Sequence, residues 1–360
     1  MKSALNWPGL IRYYSKYLPV SETTPIVSLQ EGATPLIHSP VLSTKVGFDV
    51  YLKYEGLNPT ASFKDRGMTL AVSKAKESGA RVVLCASTGN TSASAAAYAS
   101  RAGLKCVVIL PEGAVALGKL SQAMICDAQV IAIRGNFDDA LHIAREISEE
   151  SDIALVNSVN PYRIEGQKTG AFEICEQLGD APFFHLMPVG NAGNITAYWK
   201  GYNEFKRAKM IQRLPVLLGF QAEGAAPLVH NRVISDPKTF ATAIKIGNPA
   251  SWQGAIQARD ESKGLIDAVN DSAIRDAYQF LAVKEGVYCE PASAASVAGL
   301  LKLHHEQYFE KAKKEFGPQL SCVCVLTGHG LKDPASTIQI LKEPTPVAAN
   351  VQSVLKEMRL

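Results

Sequence analysis

A chain of 360 residues, 47% hydrophobic and 20% charged, is long enough for two domains of ordinary size and can fill their cores without disulfides or metals. Its 37 Lys and Arg against 34 Asp and Glu leave a net charge of +3 with no long basic run, which argues against nucleic acid or an anionic membrane as partner. Seven cysteines with no CxxC and no Cys/His ligand spacing read as buried thiols in a reducing cytosol, and suggest neither a disulfide framework nor a zinc site.

The first stretch, MKSALNWPGLIRYYSKYLPV, is interrupted by Pro8 and Gly9 and lacks the apolar core of a signal peptide. No later apolar run is long enough to span a bilayer. From Tyr51 onward, short apolar runs alternate with stretches of helical spacing, the pattern of strands followed by crossover helices. The runs at 50–55, 81–86, 105–110, 129–133, 153–156, 183–187, 216–220 and 321–326 are candidate strands. CVVIL at 106–110 and VCVL at 323–326 are apolar on both strand faces, so the reading is an α/β fold of parallel sheet covered by helices on both sides. Between strands, Phe137, Ala140, Leu141, Ala144 and Ile147 share one helical face, with Asn136 placed to cap it. A second stripe runs through Ile274, Ala277, Tyr278, Leu281 and Ala282, opening near Asp271 and closing at Gly286. Residues 224–270 have weak periodicity. No repeat, low-complexity tract or Pro/Gly-rich linker appears, so any division into domains is made by the chain crossing between lobes.

Four loops at the C-terminal ends of candidate strands carry the chemistry, where ligands of open parallel sheets bind. In NPTASFKDRG (58–67), Ser62 or Thr60 can cap a helix beginning around Phe63. Lys64 then sits in its first turn, where the positive helix end lowers its pKa toward the neutral amine that forms a Schiff base. A solvated helix lysine is the bland alternative. ASTGNTSASAAAYA (86–99) is dense in hydroxyls and amides at a helix start, suited to an anion, either carboxylate or phosphate, and equally to ordinary turn and cap chemistry. PVGNAGN (188–194) lets backbone approach a ligand at Gly190 and Gly193 before a helix carrying Tyr198 and Trp199, although a plain strand-to-helix turn explains it as well. VLTGHGLKD (325–333) delivers Thr327 into a Gly-rich turn; its hydroxyl can simply bond local backbone, and His329 has no partner at metal-ligand spacing.

Taken in order, YEGLNPTASFKDRGM, STGNTSASAAAYA, NSVNPYRIEGQKTGAFEI, PVGNAGNI and TGHGLKDP resemble the fold-type II family of pyridoxal phosphate (PLP) enzymes, closest to its threonine synthases, across residues 30–340. The resemblance implies a tryptophan synthase β-like fold with a small substrate-binding lobe at 61–156, inserted in a large PLP-binding lobe made of 1–60 and 157–360. It makes Lys64 the Schiff-base lysine and proton shuttle, with Asn90 on the cofactor's phenolic oxygen. Gly190, Asn191, Ala192, Gly193 and Asn194 would cradle the cofactor phosphate. Thr327 would face the pyridine nitrogen, a milder electron sink than an aspartate partner gives. Ser87, Thr88 and Thr91 would receive the substrate's α-carboxylate or groups near it. Asn157, Ser158 and Arg163 would bind the substrate's leaving phosphate.

The activity so implied converts O-phosphohomoserine and water to threonine and phosphate, in a cytoplasmic homodimer without metal. A serine/threonine dehydratase of the same fold is the alternative, and it needs no second phosphate site. A non-catalytic nucleotide-binding protein is the rival from another class, but the chain has neither a GxGxxG after its first strand nor a GxxxxGK. One position departs from the family: Ala61 stands where glycine is usual, and would be strained if that turn needs a positive φ. The chain is also expected to lack the long N-terminal extension of the plant enzymes, and with it regulation by S-adenosylmethionine.

Overall fold

Strand residues alternate between two apolar layers, and that alternation builds both sheets of the computed structural model, which describes residues 7–112, 117–150, 152–341, 343 and 345–358. The strands are β1 (Leu36–His38), β2 (Asp49–Tyr54), β3 (Val82–Ala86), β4 (Lys105–Pro111), β5 (Gln129–Ile133), β6 (Ile153–Leu155), β7 (Phe184–Pro188), β8 (Val216–Ala222), β9 (Leu265–Val269) and β10 (Ser321–Leu326). A six-stranded sheet has the order β1-β2-β10-β7-β8-β9, and a four-stranded sheet the order β5-β4-β3-β6. All pairings are parallel except β1 with β2.

On β10, Cys322, Cys324 and Leu326 enter one core while Val323 and Val325 enter the core on the opposite face. In the small sheet, Val83, Cys85, Val108 and Leu110 face one layer and Leu84, Ala86 and Ile109 the other. This double coverage is why those strands read as unbroken apolar runs. All eight expected strands are present. β1 and β9 were not expected: both are sheet edges, one only three residues long and the other half-buried with Asp267 in it, so neither carries a strong apolar signal.

The two expected stripes form the helices Phe137–Glu149 and Asp271–Lys284. Asn136 closes a full capping box with Asp139. Ala282 is exposed, so the second stripe is narrower than its sequence suggests. Six of the seven cysteines are buried and Cys126 is half-buried; all are free. The N-terminal segment is structural, with Leu10, Ile11 and Tyr14 buried and the Tyr14 hydroxyl donating to Glu176 at 2.8 Å.

One charged cluster lies inside this framework. Arg66 donates to Glu55 at 2.6 Å and to both carboxylate oxygens of Glu173 at 2.7 Å, and Lys53 donates to Glu173 at 2.9 Å, all four side chains being buried. Burial pushes Glu173 up, but Arg66 and Lys53 outweigh it and hold the carboxyl below its ordinary 4.5. Glu173→Ala leaves two cations facing each other in the core, and is expected to cost about 3–5 kcal/mol in urea unfolding. The sign with pH follows: a lowered carboxyl stabilises above the unfolded value and loses that contribution as pH falls below it. The wild type should therefore lose stability below the carboxylate range more steeply than the variant does.

Candidate active site

The loops that end β2, β3, β6, β7 and β10 are joined to one another by hydrogen bonds. Ser62 bridges Gly328, Phe63 N–H donates to the Thr327 carbonyl at 2.9 Å, and His329 N–H to that of Ala61 at 3.0 Å. The Asn157 side chain donates to the Ala86 carbonyl at 2.9 Å and accepts its N–H at 2.8 Å, tying the end of β6 to β3. Asn191 donates to the Ser158 hydroxyl at 2.7 Å.

Lys64 is the first residue of the helix Lys64–Glu77. Neither Ser62 nor Thr60 caps that helix. Thr60 instead bonds the Asp65 carboxylate through its N–H and hydroxyl, with Ser94 a further donor at 2.6 Å, while the buried Ser62 hydroxyl has no partner among the described residues. The turn works by the left-handed conformation of Ala61, with φ 66°, the geometry that disfavours a side chain. Ala61→Gly should raise the urea midpoint by up to about 1 kcal/mol equivalent, the strain relieved being partly offset by the freer unfolded chain. A lower midpoint would mean that the surrounding hydrogen bonds make alanine at ease there.

Lys64 is half-buried. Its pKa falls from 10.5 to about 7, first through burial and second through the nearby Arg163, with Glu290 opposing. The lowering expected from the helix end is thus supplied chiefly by desolvation and a second cation.

Arg163 reaches Lys64 because two glycines let their helices touch. A Cβ on Gly67 would lie 2.6 Å from Arg163 Nε, and one on Gly166 would lie 2.0 Å from the Arg66 carbonyl oxygen. Arg163 is fully buried, and Nη1 donates to the Val156 carbonyl at 2.9 Å, while Nε and Nη2 have no partner among the described residues. Burial lowers its pKa to about 10, opposed by Cys85 and Asp65. A buried guanidinium with two idle nitrogens calls for an anion.

The loop after β7 is a separate anion site. It leads into the helix Gly193–Arg207, whose N-terminus has no side-chain cap, with Ala192 left-handed at φ 64°. The amide of Asn194 is buried with both Nδ2 and Oδ1 unpartnered among the described residues. A Cβ on Gly193 would meet Ile164 Cδ1 and Ser251 Oγ at an ordinary contact distance of 3.6 Å. Free N–H groups and an idle amide suit the phosphate of PLP.

Ser87, Thr88, Asn90 and Thr91 line the start of the helix Asn90–Ala102, all half-buried, with Ser87 Oγ accepting Gly89 N–H at 3.2 Å. The site also contains residues that the sequence motifs did not single out. Glu290 accepts from Asn90 Nδ2 at 2.9 Å and from the Thr327 hydroxyl at 3.0 Å, and Ser293 Oγ lies 3.0 Å from Thr327 Oγ1. The Thr327 hydroxyl therefore bonds the side chains of Glu290 and Ser293 where local backbone was expected. His329 stacks on Tyr54 and accepts from Leu331 N–H, and no group of three metal-ligating side chains occurs among the described residues. The only sequence signal for Glu290 was an acidic residue before the proline of EPASAAS, 200 positions from Asn90.

A lysine whose charge is disfavoured, a buried guanidinium with idle nitrogens and a further anion site at the Asn194 loop are features that suit a phosphorylated aldehyde cofactor. The chain belongs to the pyridoxal-phosphate dependent enzyme family, whose model matches residues 27–328. Solved structures agree on the fold: a fungal L-serine ammonia-lyase from Rhizomucor miehei superposes with a TM-score of 0.71 at 21% identity, covering 83% of this chain and 94% of the other. Maize serine racemase does so with 0.69 at 19%, covering 90% and 91%. At those identities they bear on the fold alone, that of the fold-type II PLP enzymes. Sequence relatives that match along nearly the whole chain are threonine synthases: from Synechocystis at 58% identity over 94% of this chain and 86% of the relative, and from Halalkalibacterium halodurans at 57% over 96% and 95%. The threonine synthase of Methanocaldococcus jannaschii is 49% identical over 96% and 87%.

Proposed function

We infer that the protein is a PLP-dependent threonine synthase, converting O-phospho-L-homoserine and water to L-threonine and phosphate by γ-elimination followed by addition of water at Cβ. Of the two anion holes, the Asn194 loop matches the cofactor phosphate, and the idle nitrogens of Arg163 beside Lys64 carry the case for a second phosphate on the substrate. A dehydratase acting on serine or threonine has no such group to place there.

PLP attached at Lys64 supplies an electron sink for charge developing next to the substrate amine. Gly190, Asn191, Ala192, Gly193 and Asn194 would hold its phosphate, Asn90 its phenolic oxygen, and Thr327 its ring nitrogen. With substrate bound, the Lys64 amine would be the group available to move protons. With a pKa near 7 it is neutral enough to remove the proton at Cα and basic enough to carry protons onward. Ser87, Thr88 and Thr91 donate hydroxyls and backbone N–H groups to the α-carboxylate. Arg163 and Ser158 hold the substrate phosphate and stabilise the charge it gains as the bond to Cγ breaks. Asn157, with its amide bonded to Ala86, acts on this site by fixing the strand ends and, through its remaining capacity, by facing the same phosphate.

The four strands of the smaller sheet all fall within 82–155. Our reading assigns 61–156 to a substrate-binding lobe that closes over the site and excludes water until the hydration step. It also takes the protein to act in the cytoplasm as a homodimer, which light scattering of the purified protein tests. The deciding assay follows phosphate and threonine formation from O-phosphohomoserine. Efficient deamination of serine with no turnover of O-phosphohomoserine would instead assign the site to a dehydratase.

A further inference from the structure

The loop after β7 has a second wall that no sequence motif marked. It comes from the stretch 224–270, whose weak periodicity gave no hint of a role. A Cβ on Gly190 would lie 3.1 Å from the Ile244 Cα. Ala250 N–H donates to Asn191 Oδ1 at 2.7 Å, and Ser251 N–H donates to the Asn191 carbonyl at 3.2 Å. Ser251 Oγ would then stand 3.6 Å from a Cβ on Gly193. The segment 244–251 thus follows the loop at Gly190, at Asn191 and at Gly193, and two backbone bonds tie it there.

Ser251 is the N-cap residue of the helix Trp252–Glu261, a place where serine ordinarily accepts a backbone N–H of the first turn. It makes no such bond here, and its half-buried hydroxyl has no partner among the described residues. The helix Gly193–Arg207 is likewise uncapped by any side chain, and the two helices meet at their starts: a Cβ on Gly254 would lie 2.6 Å from the Thr196 side chain. Two positive helix ends therefore lie side by side, with the buried, unpartnered amide of Asn194 and the idle hydroxyl of Ser251 at their mouths.

We propose that Ser251 is a binding residue for the cofactor phosphate, donating its hydroxyl proton to an oxygen of the group that the Gly190–Asn194 loop holds. The proposal rests on the reading of that loop as the cofactor-phosphate site. A phosphate oxygen accepts hydrogen bonds, and the Ser251 hydroxyl has a proton to give with no protein acceptor competing for it. The bond is charge-assisted, which makes it stronger than one between neutral groups. Because Ala250 and Ser251 are already bonded to Asn191, the hydroxyl is in place before the ligand arrives, and little ordering opposes the bond.

The test compares two ligands on the apo form of the full chain: pyridoxal phosphate, and pyridoxal, which has the same ring and aldehyde without the phosphate. Dissociation constants are read from the absorbance of the bound aldehyde. Ser251→Ala should weaken pyridoxal phosphate about 10–100-fold, the range for losing one hydrogen bond to a charged group, and leave pyridoxal unchanged. Ser251→Cys, close in size but with a weak S–H donor, should shift the same ratio in the same direction, and it decides the matter if Ser251→Ala does not fold. An unchanged constant for pyridoxal phosphate, or an equal loss for both ligands, overturns the proposal. Asn194→Ala in the same comparison tests the underlying reading. If it too leaves the preference for the phosphorylated ligand intact, the loop assignment fails together with the role of Ser251. If it abolishes that preference while Ser251→Ala does not, the loop stands and Ser251 alone is excluded.

Discussion

Lys64→Ala is expected to give a folded protein that takes up no covalently bound cofactor and turns over O-phosphohomoserine at least about 10²–10⁴-fold more slowly, the range for losing one positioned proton-transfer group. Two other lysines have lowered pKa values and could compete for the aldehyde. Lys53 is excluded by its partners: its amine donates to the Thr34 carbonyl, Glu173 and Gln177, using all three protons. Burial lowers the pKa of Lys332 against the pull of Glu290 and Asp65, but its amine is bonded to Gln122. Burial and a second cation drive the Lys64 amine toward the neutral form, and no hydrogen bond among the described residues occupies it.

Direction with pH follows from the same environment. The reactive amine is the deprotonated one, so cofactor uptake by the apoprotein should rise as pH passes upward through about 7 and then level off. Arg163→Met removes the cation that lowers it, and should move that rise to higher pH. Borohydride reduction followed by peptide mass spectrometry locates the adduct. A pyridoxyl group on Lys332 in the wild type would displace the assignment.

The strands with an apolar layer on each face were legible because burial on two faces leaves an unbroken apolar run, as in CVVIL and VCVL. Edge position erased that signal in β1 and β9. The loops were legible for a different reason: glycines and hydroxyls at strand ends mark where backbone meets a ligand. Their contents were less so. Nothing in TASFKDRG tells that Ser62 caps nothing, that Asp65 takes the hydroxyls of Thr60 and Ser94, or that burial and Arg163 lower Lys64 more than the helix end does. The last of these depends on Gly67 and Gly166 bringing two helices into contact, a tertiary event between segments that are distant in sequence. Glu290 was invisible for the same reason, since its partners come from loops far away along the chain.

Arg163 carries the second large effect. Each hydrogen bond to a charged group contributes about 1.5–3 kcal/mol, and two idle nitrogens are available, so Arg163→Ala should lower kcat/KM for O-phosphohomoserine by about 10²–10⁴-fold. A truncated substrate separates binding from folding. Turnover of serine or another amino acid without the phosphate should change far less in the variant, because it never engaged the guanidinium. Stability gives an independent reading. In the absence of an anion the wild type buries a cation whose pKa burial has already lowered to about 10, an arrangement that desolvation disfavours. Inorganic phosphate added to the holoenzyme, where the Asn194 loop is already filled by the cofactor, should therefore raise the wild-type Tm in proportion to the logarithm of its concentration and leave that of Arg163→Met unmoved. Equal phosphate stabilisation of both proteins would place the second anion hole elsewhere, and the case for a phosphorylated substrate would then have to be carried by residues other than Arg163.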